Sequence, residues 1–186
     1  MQESDMAGTE NPIPTFPRLL ARPMAVAPLM PLSLALGRLA GTVAKAHPAM
    51  FRRMGEYARS RFEIDPTDLP FTILIEPRGG EPAVSLSRRR QDCDARIAGP
   101  LAALLGLVHG AYDGDALFFS RDLVIEGDTA AVLALRNAID AAEIDLTSEL
   151  AQSAGRAGKL IRRLAAFGER RSGVALSRHE QETAAW

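Results

Sequence analysis

The chain has 186 residues, which fits one domain plus extensions rather than two full domains. Apolar residues make up 47% of it, enough for a real core, and the formal net charge is −1. One cysteine, Cys93, excludes an internal disulfide, and aromatic residues at 5% leave little material for stacking on nucleic-acid bases.

The small net charge hides an asymmetry. Residues 1–64 sum to +3, residues 65–150 to −8 and residues 151–186 to +4. The acidic middle argues further against a nucleic-acid partner. Basic ends around an acidic middle fit two arrangements. The ends fold back on the middle, or they meet an anionic membrane while the middle stays in water.

Residues 1–17 are polar and proline-dotted, and read as a disordered N-terminus. Three acids precede the first base, Arg18, which is not the pattern of a secretory signal. Residues 18–64 read as an N-terminal helical segment. Within it, the 15 residues between Arg22 and Arg38 carry no charge. They are too few for a spanning helix of about 20 residues, and Pro23, Pro28 and Pro31 interrupt them. Pro31 suits a helix start. Leu32, Ala35, Leu36, Leu39, Ala40 and Val43 then predict an apolar stripe that Pro48 ends. A second helix is predicted over 49–61, with Met50, Phe51, Met54 and Tyr57 on one side.

From Asp65 the pattern changes. Phe71–Ile75 and Ala83–Ser87 predict a β-hairpin around Pro77–Gly80, with a loop of four or five residues. Arg88–Gln91 reads as a second turn and Cys93–Ala98 as a third strand. Gly99-Pro100 opens a helix with Leu101, Leu104, Leu105 and Val108 on one face. Tyr112–Asp115 is a loop leading into Phe118. The run Asp122–Glu126 predicts a strand with Leu123 and Ile125 on one face. Gly127 is a hinge, and Asp128 is placed to cap a helix carrying Val132, Leu135, Ile139 and Ala142. Residues 147–171 predict a basic amphipathic helix, and 172–186 a disordered tail.

Catalytic constellations are scarce. His47, His109 and His179 sit at helix ends or in the tail and read as capping or solvated groups. Cys93 lies between Asp92 and Asp94, whose charges discourage a thiolate. Asp92-x-Asp94 and Asp113-x-Asp115 read as solvated turn acids rather than metal ligands. Arg88–Arg90 reads as a solvated turn. The expectation is a protein that is not an enzyme, with no catalytic residue, metal or cofactor.

The string FFSRDLVIEGDTAAVLALRNAID resembles the C-terminal core of the sterol carrier protein type-2 (SCP-like) lipid-binding domain. There an L-x-I-E-G-D strand runs straight into an amphipathic helix. With DGDALFFSRDLVIEGDTA, the apolar N-terminal segment and the basic tail, the chain is similar to one bacterial branch, the UbiT-like accessory factors of ubiquinone biosynthesis. The resemblance implies an α+β domain over 65–146, with a mainly antiparallel sheet of about five strands packed against helices. It implies a non-catalytic role in the cytoplasm or peripherally on the inner membrane. A prenylated quinone precursor, or another isoprenoid lipid, would be held in an apolar cavity for oxygen-independent hydroxylation by UbiU–UbiV-like proteins. If the elements pack as in that family, Phe71, Ile73, Ile75, Leu104, Val108, Phe118, Leu123, Ile125, Leu135 and Ile139 converge on the lipid. Taken alone, each is first a core residue. The alternative is a scaffold with a filled core that docks biosynthetic enzymes through its helices.

Overall fold

The computed structural model describes residues 23–109 and 123–142. The polar start of the chain, the segment with Asp113, Asp115 and Phe118, and the basic helix and tail expected from 147 lie outside the described residues. Helix α1 spans Met30–Ala46 and α2 spans Pro48–Met54, each with a proline in its first turn, where a missing N–H costs nothing. The second helix ends sooner than its apolar spacing predicts. Gly55 adopts φ +56 and leaves the helical region, and a 3₁₀ turn over Gly55–Arg59 follows.

The chain then enters a strand, β1 (Phe62–Pro66), that the helical reading of 49–61 had obscured. Phe62-Glu63-Ile64-Asp65 does alternate with the period of a strand, but over too few residues to outweigh the helix pattern before it. Four more strands follow: β2 (Thr72–Glu76), β3 (Ala83–Ser87), β4 (Ala95–Gly99) and β5 (Val124–Gly127). They form one sheet in the order β3-β2-β1-β4-β5. The central pair β1–β4 is parallel and the other pairs are antiparallel, so the sheet is mainly antiparallel, as expected. The β2–β3 hairpin forms where predicted. Its connection is longer than expected, running from Pro77 to Pro82, and Arg78, Gly79 and Gly80 take positive φ to turn it.

Register decides which side chains share a face, because directly opposed residues point the same way. Val84, Ile75, Phe62, Ala95 and Gly127 form one such row. Ser85, Leu74, Glu63, Arg96 and Glu126 form the next, on the opposite face. The first face carries the core. There α3 (Leu101–His109) and α4 (Thr129–Ala142) pack Ala103, Leu104, Ala131, Val132, Leu135 and Ala138 against Phe62, Ala95 and Ile97. Each large side chain buried here contributes about 1.5–3 kcal/mol. Alanines at the contact points let the helices approach closely. On α3 they also turn the helix. Ala102, Ala103 and Leu104 are buried, whereas Leu101 and Leu105, expected on the inner face, are only half-buried.

Asp128 caps α4 as its position predicts. Its Oδ1 accepts from the Ala130 and Ala131 amides at 2.9 and 3.0 Å. Asp128→Ala is expected to lower stability by about 1 kcal/mol, read from the urea midpoint at unchanged slope. At the other end of the molecule α1 lies along β3, where Ser33 Oγ donates to the Val84 carbonyl at 3.0 Å. The segment before α1 is tied down by Arg88, whose Nη2 donates to the Ala27 and Met24 carbonyls at 2.6 and 3.2 Å. No described helix is long and apolar enough to cross a membrane.

Candidate functional site

The residues expected to line an apolar cavity fall into three groups. Leu104, Leu123 and Leu135 are buried in the main core, and Ile125 and Ile139 pack against it, so five of the ten come together. Ile73 and Ile75 lie on the same sheet face but are only half-buried, beside Ile64, Val84 and Leu86, which are also half-buried. Phe71 is buried just before β2, outside that core. Val108 lies in the last turn of α3, and Phe118 lies outside the described residues. The core face therefore has two halves. Over β1, β4 and β5 it is filled by α3 and α4. Over β2 and β3 a patch of branched side chains remains partly open to solvent.

Sequence reasoning missed the other face. Glu63 is fully buried there on the central strand. Its Oε2 accepts from the Gln91 amide at 2.6 Å and from Thr72 Oγ1 at 3.3 Å. Arg96, on the neighbouring strand, is ringed by three carboxylates. It ion-pairs with Asp65, with Glu126 at 3.1 Å and with Glu63 at 3.5 Å. Burial works against the Arg96 charge, but Asp65 and then Glu126 outweigh it and hold the guanidinium above its ordinary pKa. Arg90 pairs with Glu126, and its hydrogen bond is the main cause holding that carboxyl below its usual value. The stability Glu126 contributes is thus present above the ordinary carboxylate pKa and is lost as pH falls through the lowered one.

The loop Arg88–Asp94 folds against this cluster and belongs to it. Arg88, Arg89 and Arg90 are exposed, as the solvated-turn reading expects, and Arg88 and Arg90 also bond to the chain itself. Asp92 does project into solvent, paired with Arg61 at 2.7 Å. Asp94 does more than a turn acid. Its Oδ2 accepts from the Arg61 amide at 2.7 Å and its carbonyl accepts from the Asp128 amide at 2.9 Å, joining the start of β1 to the start of α4. The loop and the ends of β4 and β5 surround a polar pocket of about 340 Å³, lined by Glu63, Gln91, Cys93, Arg96 and Glu126 among others. Among the described residues, no group of His, Cys, Asp and Glu has the geometry of a metal site. Burial, and then the Glu63 charge, push the Cys93 thiol up. Iodoacetamide at pH 8 is therefore expected to alkylate Cys93 at least about fivefold more slowly in the folded chain than in urea. Equal rates would contradict this.

Fold and faces together define a small α+β domain with an apolar patch on one side of its sheet and an ion-paired pocket on the other. The chain belongs to the SCP-2 sterol transfer family, whose model matches residues 42–140. Among solved structures it is similar to a UbiJ-SCP2 ubiquinone synthesis protein, at TM-score 0.54 and 19% identity over 63% of this chain and 96% of that one. At that identity the likeness is one of fold. Sterol carrier protein 2 matches at TM-score 0.44 and 11% identity, over 56% of this chain and 93% of that one. The apo form from Yarrowia lipolytica matches at 0.40 and 14%, over 56% and 88%. No curated protein matches the chain in sequence.

Proposed function

We propose that this protein is a non-catalytic carrier that holds an isoprenoid lipid, a prenylated quinone precursor, for ubiquinone biosynthesis. Its partners in that reading are UbiU–UbiV-like hydroxylase proteins. One observation carries the reading: Ile64, Ile73, Ile75, Val84 and Leu86 stand half-covered on the core face of the sheet. Apolar side chains grouped on one face and incompletely covered leave area that a lipid would bury. A prenyl tail is suited to it. Covering several hundred square ångströms at about 25 cal/mol per Å² yields on the order of 10 kcal/mol before ordering costs. Membership of the SCP-2 sterol transfer family supports the same reading, as does the fold shared with a ubiquinone synthesis protein. Phe71, Leu104, Val108, Phe118, Leu123, Ile125, Leu135 and Ile139 remain part of the proposed lining, which a lipid would enter from the half-covered side of the core face.

The carrier works at the cytoplasmic face of the inner membrane. Val26, Met30 and Leu34, spaced four apart in sequence, are 86%, 75% and 54% exposed, and Arg38 and Arg88 are exposed nearby in the chain and fold. Apolar side chains with a basic rim suit an anionic leaflet. The second reading, a scaffold with a filled core, draws support from the alanine-lined contact of α4 with β1 and β4. One experiment separates the two. Solvent extraction and mass spectrometry of the purified protein are expected to yield prenylated quinone precursor. Ile73→Asp should reduce it at least about tenfold while the fold persists. Protein that carries no lipid and packs tightly would leave the scaffold. Flotation with anionic vesicles should weaken when Val26, Met30 and Leu34 are all changed to Ser.

A further inference from the structure

Helix α1 is held to the rest of the molecule unevenly. In its second half Leu39, Val43 and Ala44 are buried, Ala44 within the main core. Between residues 23 and 37 no side chain is buried, and Leu29, Leu32, Ser33 and Leu36 are only half-covered. Gly37 separates the two halves. A Cβ there would meet nothing within 4 Å, so no close contact requires glycine, and glycine weakens a helix more than any residue but proline. Among the described residues, the polar ties of this first stretch to the sheet end on neutral carbonyl oxygens. Ser33 donates to Val84, and Arg88, just past the end of β3, donates to Met24 and Ala27.

Arg88 is unlike the arginines around it. Arg61, Arg78, Arg90 and Arg96 each pair with a carboxylate, whereas among the described residues Arg88 directs its charge to two neutral acceptors. A phosphate carries the opposite charge and accepts two N–H groups of one guanidinium at once, so it competes well with separate carbonyls. The same stretch turns Val26, Met30 and Leu34 outward. A surface that offers phosphates together with hydrocarbon therefore favours a detached stretch in two ways. It replaces the carbonyls at Arg88, and it takes in Leu29, Leu32 and Leu36, which the attached stretch keeps half-covered, as well as the outer three. Such a difference between the two states is what allows a ligand to shift them.

We propose that residues 23–36 are a strap, hinged at Gly37, which an anionic lipid surface lifts from β3 by drawing Arg88 away from Met24 and Ala27. Two members of the half-covered patch, Val84 and Leu86, lie on β3, along which α1 packs. Lifting the strap uncovers that border, by which a lipid passes between bilayer and protein. The strap rests on the lipid-carrier reading for its purpose, but not for its motion.

The test is a spin-label distance measurement by double electron–electron resonance on the full-length chain. It carries Cys93→Ser, with nitroxides at Ala25→Cys on the strap and Asn137→Cys on α4, both exposed positions. In water one distance is expected. Vesicles of phosphatidylglycerol and phosphatidylcholine should add a second, different by on the order of 10 Å, roughly half the reach of a helix of the strap's length. Phosphatidylcholine vesicles alone, or inorganic phosphate without lipid, should leave the first distance as it is. Arg88→Met should raise the second population in water at least about threefold. Gly37→Ala should lower it on anionic vesicles at least about threefold. In anionic bicelles that contain a nitroxide-bearing lipid, the Val84 and Leu86 methyl signals should broaden. A single distance on anionic vesicles, whether or not the protein floats with them, overturns the proposal. So does a second distance that neutral vesicles or free phosphate produce equally, a population unaltered in either variant, or methyl signals that stay sharp. The carrier reading fails separately. Purified protein without prenyl lipid that still shows the second distance keeps the strap and removes the carrier, and prenyl lipid with a single distance does the reverse.

Discussion

Replacing Gly127 with alanine is expected to destabilise the protein by on the order of 3 kcal/mol or more, and to lower its melting temperature by roughly 10 °C. Two separate costs meet at this position. The backbone takes φ +84, which an L side chain adopts only with strain. A Cβ built there would also stand 2.3 Å from the Asp94 carbonyl oxygen. That oxygen has no freedom to move away, because it accepts from the Asp128 amide and sits between the ends of β4 and β5. Gly79 supplies the comparison. Its φ is +71, but a Cβ there would meet nothing within 4 Å, so Gly79→Ala should cost only about 1 kcal/mol of conformational strain. Thermal unfolding of the two variants side by side separates crowding from strain. Equal effects would show that the contact with Asp94 is not what requires glycine.

Arg96→Met is expected to cost about 3 kcal/mol in urea unfolding. Its side chain is 16% exposed and neutralises Glu63, whose own side chain is 1% exposed, together with Asp65 and Glu126. Without it three carboxylates face one another across β1, β4 and β5, and the innermost has no route to water. The loss should be partly recovered when Glu63→Gln is added, with a coupling of at least about 1 kcal/mol in the double-mutant cycle. By contrast, Arg61→Met breaks an ion pair whose Asp92 partner is 89% exposed, and should shift the midpoint little. If Arg96→Met is equally mild, the cluster is a solvated surface feature and not a buried one.

The elements that local chemistry punctuates were legible in the sequence. The Pro77–Gly80 turn announces the β2–β3 hairpin, and Gly127-Asp128 announces the passage from β5 to α4, since a positive φ and a capping carboxylate each favour few residue types. The stripe Val132, Leu135, Ile139 is read correctly because α4 is long enough for its period to repeat. β1 was hidden by its short length after an amphipathic helix. The inner face of α3 was misjudged because leucine hydrophobicity was weighed above the close approach that Ala102 and Ala103 permit. The Glu63–Arg96–Glu126 row was out of reach for another reason. Its members come from three strands far apart in the chain, and only the register of a parallel pair brings the first two together. A trace of it was present. Glu63 and Asp65 alternate with Phe62 and Ile64, so once β1 is seen as central, its charged side must be buried with partners. The division of the apolar face into a sealed half and a half-covered one was not in the spacing either, because it depends on where α3 and α4 stop.

The helix that runs beside β3 has a bearing on how the border of the sheet is protected. β3 is a terminal strand of the sheet, and an unguarded terminal strand invites the same strand of another molecule to join it. Ser33 occupies the Val84 carbonyl, and α1 packs along β3. The part of the chain common to the family begins only at residue 42, beyond Ser33. The guard on the open border of the sheet is therefore supplied by residues that the shared domain does not include, and trimming the protein to that domain would remove its defence against stacking into aggregates.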